Sequence, residues 1–62
     1  MYKIRTFTTD GRMATMNAPV QVRAAAVQDA KRQTERPTIT RALVLVKTGK
    51  RWHVEFDSSI GY

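Results

Sequence analysis

TITRALVLVKTGKRWHVEFDS, residues 38–58, consists of two β-rich arms about a single glycine. The first arm carries Ile39, Leu43, Val44, Leu45 and Val46, the second Trp52, Val54 and Phe56, side chains that suit a pleated, half-buried surface. Between them Thr48-Gly49 is a turn signal, since glycine takes a positive φ without steric cost. The stretch predicts a β-hairpin with a long first strand, 38–47, and a partner over 51–58. Its register decides which side chains share a face, because a slip of one residue turns every side chain over. Pairing Lys47 with Lys50 sets Leu45 opposite Trp52 and Leu43 opposite Val54, a face that with Phe56 reads as core. On this register Trp52 is structural. The other face then carries Val46 opposite Arg51, Val44 opposite His53 and Ala42 opposite Glu55. An apolar strip around Val44 and Val46, rimmed by cations, marks a contact surface for a partner or for a second copy of the chain.

Outward from the hairpin, Arg36-Pro37 ends a helix, because proline pushes its predecessor out of the α region. That helix is expected over 18–35, capped by Asn17 and with Pro19 in its first turn, where a missing N–H costs nothing. Val20, Ala24 and Val27 form one stripe on it, and Val22, Ala26 and Ala30 an adjoining one. Both are made of small side chains, so the helix is expected to lie close against a sheet, with Gln21, Gln28, Arg32 and Glu35 on its polar side. Upstream, YKIRTFTT at residues 2–9 is aromatic and β-branched, Asp10-Gly11 is a turn signal, and RMATM supplies a short second arm over 12–16. The whole is an α+β fold, β-β-α-β-β, with one helix packed on a small antiparallel sheet of three or four strands. The tail Ser-Ile-Gly-Tyr is expected to fray or to lie along an edge.

Sixty-two residues make one small domain, 1–62, and a chain of that length buries only about 60% of the surface its unfolded form exposes. There is no cysteine, so packing or self-association must supply the stability. Opening on Met1, the chain reads as a complete small gene product. It lacks an apolar run of signal-peptide or membrane-span length, which points to the cytoplasm.

Eleven Lys and Arg against five Asp and Glu give a formal charge of +6. Such a field draws polyanions and acidic protein surfaces alike and raises the on-rate for either. The cations are scattered and not gathered in a tail, so a folded surface must express them. Lys47, Lys50 and Arg51 stand round Gly49 as a candidate cluster for phosphates or carboxylates. Lys31, Arg32 and Arg36 at the helix end are candidates to join it, although cations there are also favoured by the helix dipole alone. Nothing in the sequence matches the aromatic motif of an RNA recognition fold. Chemistry is poorly provided for. His53 is the sole histidine, the carboxylates have no metal or glycosidase spacing, and the three glycines stand apart and cradle no phosphate. No enzyme activity, cofactor or metal is expected.

The segment QDAKRQTERPTITRALVLVKTGKRWHVEF, a helix ending in Ala30-Lys31-Arg32 followed by a hairpin with Gly49-Lys50-Arg51-Trp52, resembles small phage-encoded proteins that disarm host systems, the anti-CRISPR inhibitors among them. The resemblance covers about half the chain, and the further strand that follows the hairpin in those inhibitors has no counterpart after Asp57. It implies a non-enzymatic protein in the host cytoplasm whose basic face binds and inhibits a host complex that handles nucleic acid, with Lys31, Arg32, Lys50 and Arg51 as the matching positions. Two alternatives stand beside it: a sequence-nonspecific DNA- or RNA-binding protein, and a small homodimeric structural protein. A protein interface wants a desolvated apolar centre, here Val44 and Val46, while a nucleic-acid binder wants a continuous basic track. Glu55 and Asp57 interrupt such a track along the last strand, which favours the protein interface.

Overall fold

Tyr2–Thr8 alternates in character, with Ile4 and Thr6 between Lys3, Arg5 and Phe7, and a strand with two cations on one face can bury only the other. That constraint orders the whole molecule. The structure is a computed structural model and describes residues 1–60. Its elements are β1 (Tyr2–Thr8), β2 (Met13–Asn17), α1 (Arg23–Gln33), β3 (Ile39–Thr48) and β4 (Arg51–Asp57). The strands form one antiparallel sheet in the order β2-β1-β3-β4. The expected α+β class and β-β-α-β-β order are therefore what the chain adopts, with four strands. No helix among the described residues is long and apolar enough to cross a membrane.

Ile4 pairs with Val44 and Thr6 with Ala42, so the buried side of β1 chooses the even-numbered side of β3. α1 lies over these two central strands. The core beneath it is Ile4, Ala18, Ala26, Ala30, Ala42, Val44 and Phe56, with Tyr2 and Val27 packed at its margin. This reverses the face expected to be core. Val44 is 0% exposed under the helix, whereas Leu43, Leu45, Trp52 and Val54 turn to the uncovered side with Lys3 and Arg5. The hairpin alone could not decide the matter, since both sides of β3 are apolar. The charges of β1 could. Trp52 is accordingly no core residue but stands 36% exposed.

The hairpin turn also sits one residue later than expected. Thr48 pairs with Arg51, and Gly49-Lys50 makes the turn, with φ +62° at Gly49 and no positive φ at any non-glycine residue. A two-residue turn with glycine first, the II′ type, needs one positive φ, and the right-handed twist of the strands favours it. A Thr48-Gly49 turn of type I′ would have forced a positive φ on a β-branched threonine. Further along, the register shifts between Val44 and Leu45, whose partners are Phe56 and Val54. Glu55 is thus the extra residue of a bulge, and it carries Phe56 across to the helix side, away from Trp52 and Val54.

α1 is shorter than expected at its start. Asn17 does not cap it but ends β2 opposite Lys3, and the Ala18 N–H continues the pairing onto the Tyr2 carbonyl at 3.0 Å. The Gln21 amide then donates to the carbonyls of Tyr2 (2.9 Å) and Ala18 (2.8 Å) and accepts from the Tyr2 N–H. These bonds hold residues 18–21 as a loop, so the helix starts only after Val22, which has extended φ and ψ and no side-chain cap. Of the two expected stripes, the one through Ala26 and Ala30 faces the sheet, while Val20 and Val22 are exposed. At the other end of the chain, the Ser58 N–H donates to the Ala42 carbonyl (3.0 Å) and the Ser58 hydroxyl accepts from the Ala42 N–H (2.9 Å). The strand pairing thus runs one residue past Asp57, and of the tail expected to fray or lie along an edge, Ser59 and Ile60 turn back on Asp57 through their N–H groups, while Gly61 and Tyr62 lie outside the described residues.

Candidate functional site

Among the described residues, no element covers the side of the sheet away from α1. Across its middle run Leu43 and Leu45 of β3, buried by their neighbours, with Lys3 and Arg5 of β1 on one flank and Trp52 and Val54 of β4 on the other. Lys3, Arg5, Thr15, Leu45, Trp52 and Val54 line a shallow depression of about 490 Å³. Its floor is aliphatic, one wall is an indole, and the opposite wall is cationic.

Trp52 has β3 between it and β1, yet the Lys3 ammonium stands 4.8 Å from the centre of its ring. The indole therefore leans inward across β3, above Leu45, and does not point away from the sheet. Lys47, the partner of Trp52 on β3, brings a second ammonium to 6.0 Å. An ammonium at this distance is attracted by the ring quadrupole. Arg5 is steadied by the Thr15 hydroxyl of β2, to which its Nε donates at 3.0 Å. At the far end of the same face the Arg41 guanidinium lies 5.6 Å from the Phe7 ring centre.

Charge on this face is one-sided. Its one carboxylate, Asp57, is occupied by the Arg41 fork and by the Ser59 N–H (3.0 Å) and hydroxyl (2.8 Å). The Arg41 bond and, after it, those from Ser59 hold this carboxyl well below the usual aspartate range, against the opposing effect of burial. The same bond raises Arg41 above its ordinary value. Elsewhere Arg12 pairs with Asp10, Arg23 with Glu55 and Arg32 with Asp29. Lys3, Arg5, Lys47, Lys50 and Arg51 have no carboxylate partner among the described residues.

The residues singled out in the sequence do not form one cluster. Lys47 belongs to the open face and Lys50 lies at the adjoining turn, but Arg51, opposite Thr48 and alternating with Trp52, falls on the helix side of the sheet. Lys31 is on the helix side, 5.7 Å from the Phe56 ring, and Arg32 is tied to Asp29 at 3.2 Å. Phe56 lies five residues along β4 from Arg51, about 16 Å at strand rise, so these two cations stand apart from the turn. Val44 is sealed in the core, and Val46 is half-buried on the helix side between Tyr2 and His53, so neither is a contact surface. The interruption expected from Glu55 does not reach the open face either: this carboxylate accepts from Arg23 of α1 at 2.6 Å. Lys3, Arg5, Thr15 and Val54 were not singled out. The signal for the first two was present as the alternation of cations with Ile4 in β1.

A second concavity, of about 260 Å³, lies between Pro19-Val20 and the Gln28–Arg32 side of α1. Its one cation is the Arg32 held by Asp29, so it offers no free charge. No group of three His, Asp or Glu side chains gathers as a metal-ligand set among the described residues. Comparison with protein-family models, curated proteins and solved structures finds no match for the chain.

Proposed function

We propose that the chain is a non-enzymatic binding protein that holds a nucleic-acid strand, without sequence preference, across the uncovered face of its sheet. One observation carries this function: Lys3, Arg5 and Lys47, all without a carboxylate partner among the described residues, border an exposed tryptophan on a single surface, with Lys50 at the adjoining turn. Lysine and arginine contacts to phosphates supply affinity that is independent of sequence and steer association. A second copy of the chain is disfavoured on this face, because it would set the same cations against each other. The inhibitor function implied by the resemblance would use these cations on an acidic protein surface, and salt separates the two.

Anisotropy of a labelled oligonucleotide should show affinity falling with salt at a log–log slope of about −0.7 per phosphate contacted for a single strand, or about −0.9 for a duplex. Reversal of Lys3 and Arg5 to glutamate should weaken binding by at least about tenfold and flatten the slope by about two. The same reversal at Lys31 and Arg32 should leave both unchanged. Nucleic-acid affinity indifferent to Lys3 and Arg5, together with a host complex retained after nuclease treatment and in moderate salt, would overturn the proposal in favour of the inhibitor.

A further inference from the structure

We infer that Trp52 is a stacking platform for a base, so that the strand held on the open face is single-stranded; this rests on the nucleic-acid function proposed above. The indole leans over Leu45 with its neighbourhood open to a depression of about 490 Å³, within the range of small-molecule sites and ample for a nucleobase. Leu45 and Val54 supply an apolar floor, and Arg5 and Thr15 supply polar groups across from the ring. Two ammonium groups, Lys3 and Lys47, already stand at the indole, and Lys50 follows at the turn. A base entering over the ring displaces the Lys3 ammonium from its cation–π position, and that ammonium then meets the phosphate of the same nucleotide. The indole and the cations thus serve two parts of one ligand.

The chemistry discriminates between polyanions. A duplex keeps its bases stacked inside, and reading it through a groove takes a helix or a two-stranded ribbon, not a flat sheet face. An acidic peptide would bring carboxylates toward the negative face of the indole and lose by it. A single strand offers a π-face at every nucleotide, which makes stacking tolerant of sequence.

Trp52 is the sole tryptophan, so its fluorescence reports on this ring alone. An oligothymidylate of about 15 nucleotides should quench that emission, and a duplex of equal length should bind more weakly and quench little. Trp52→Ala should weaken single-strand binding about 5- to 150-fold, the loss of one stacked base, while Trp52→Phe retains most of it. Duplex affinity should be the same in all three proteins. Equal binding of single strand and duplex, unaffected by Trp52→Ala and without quenching in the parent protein, would overturn the stacking role while leaving the cationic face as the nucleic-acid site. Loss of all nucleic-acid binding in the parent protein would overturn both.

Discussion

Asp57 is a carboxylate folded into the end of a sheet, 5% exposed, with each oxygen taken by Arg41 and one of them also by Ser59. Because its carboxyl titrates lower in the folded protein than in the unfolded chain, its contribution to folding is fully present where it is ionised in both states, above the ordinary aspartate value of about 3.9. The contribution is lost as pH falls below that value and through the folded pKa. Asp10, held low chiefly by the Thr8 hydroxyl, titrates in the same direction from an exposed turn. The urea midpoint of the parent protein should therefore fall as pH is lowered from about 5 to about 2. Asp57→Asn should start lower at about pH 6 and lose much of the dependence. A variant whose midpoint falls as steeply as the parent's would show that other carboxylates govern acid unfolding.

At the scale of the element, α1 meets the sheet through Ala26 and Ala30 alone among its fully buried positions, and opposite them stand Ala42 and Val44. Small side chains on both sides let the helix approach closely, so added volume has nowhere to go. Ala30→Leu should cost about 1–3 kcal/mol, read as a lower midpoint in thermal or urea unfolding followed by circular dichroism. An unchanged midpoint would mean that the helix rides loosely on the sheet. This small-residue stripe was legible in the sequence, as were the two hairpins, because periodicity and turn residues are local signals. What β3 buries was not local. Its two faces are Ala42, Val44 and Val46 against Leu43 and Leu45, nearly equal in apolar character, and the tie is broken by Lys3 and Arg5 on a strand about forty residues away. The bulge at Glu55 and the Gln21 clasp that delays the helix depend on partners brought close only by the fold, and no residue pattern near them announces either. The candidate site suffered for the same reason. Lys47, Lys50 and Arg51 could be found at the turn, but the half contributed by β1 waits on the strand pairing that sets it beside Trp52.

For the molecule as a whole, a single layer of helix on a single sheet leaves one side of that sheet to solvent, and three cations without a carboxylate partner among the described residues, Lys3, Arg5 and Lys47, are gathered there. β1, the first strand in the chain, lies in the middle of the sheet, between β2 and β3. Ile4 cannot meet Val44 until some forty further residues exist. At about 5–20 residues per second, a ribosome takes roughly 2–8 s to supply them, and for that interval the nascent strand has β2 at most for company. Closing so long a loop before any reward arrives also slows refolding of the finished chain. Stopped-flow refolding from urea should accordingly give relaxation times in milliseconds to seconds, not the microseconds of a helical bundle of this size. A microsecond phase carrying the full Trp52 signal would mean that β3–β4 forms alone and that β1 joins without delay. The open face, shared by β1 and β4, comes into being only once β4 has been made, and a nascent chain has no binding site to offer until that strand has left the ribosome.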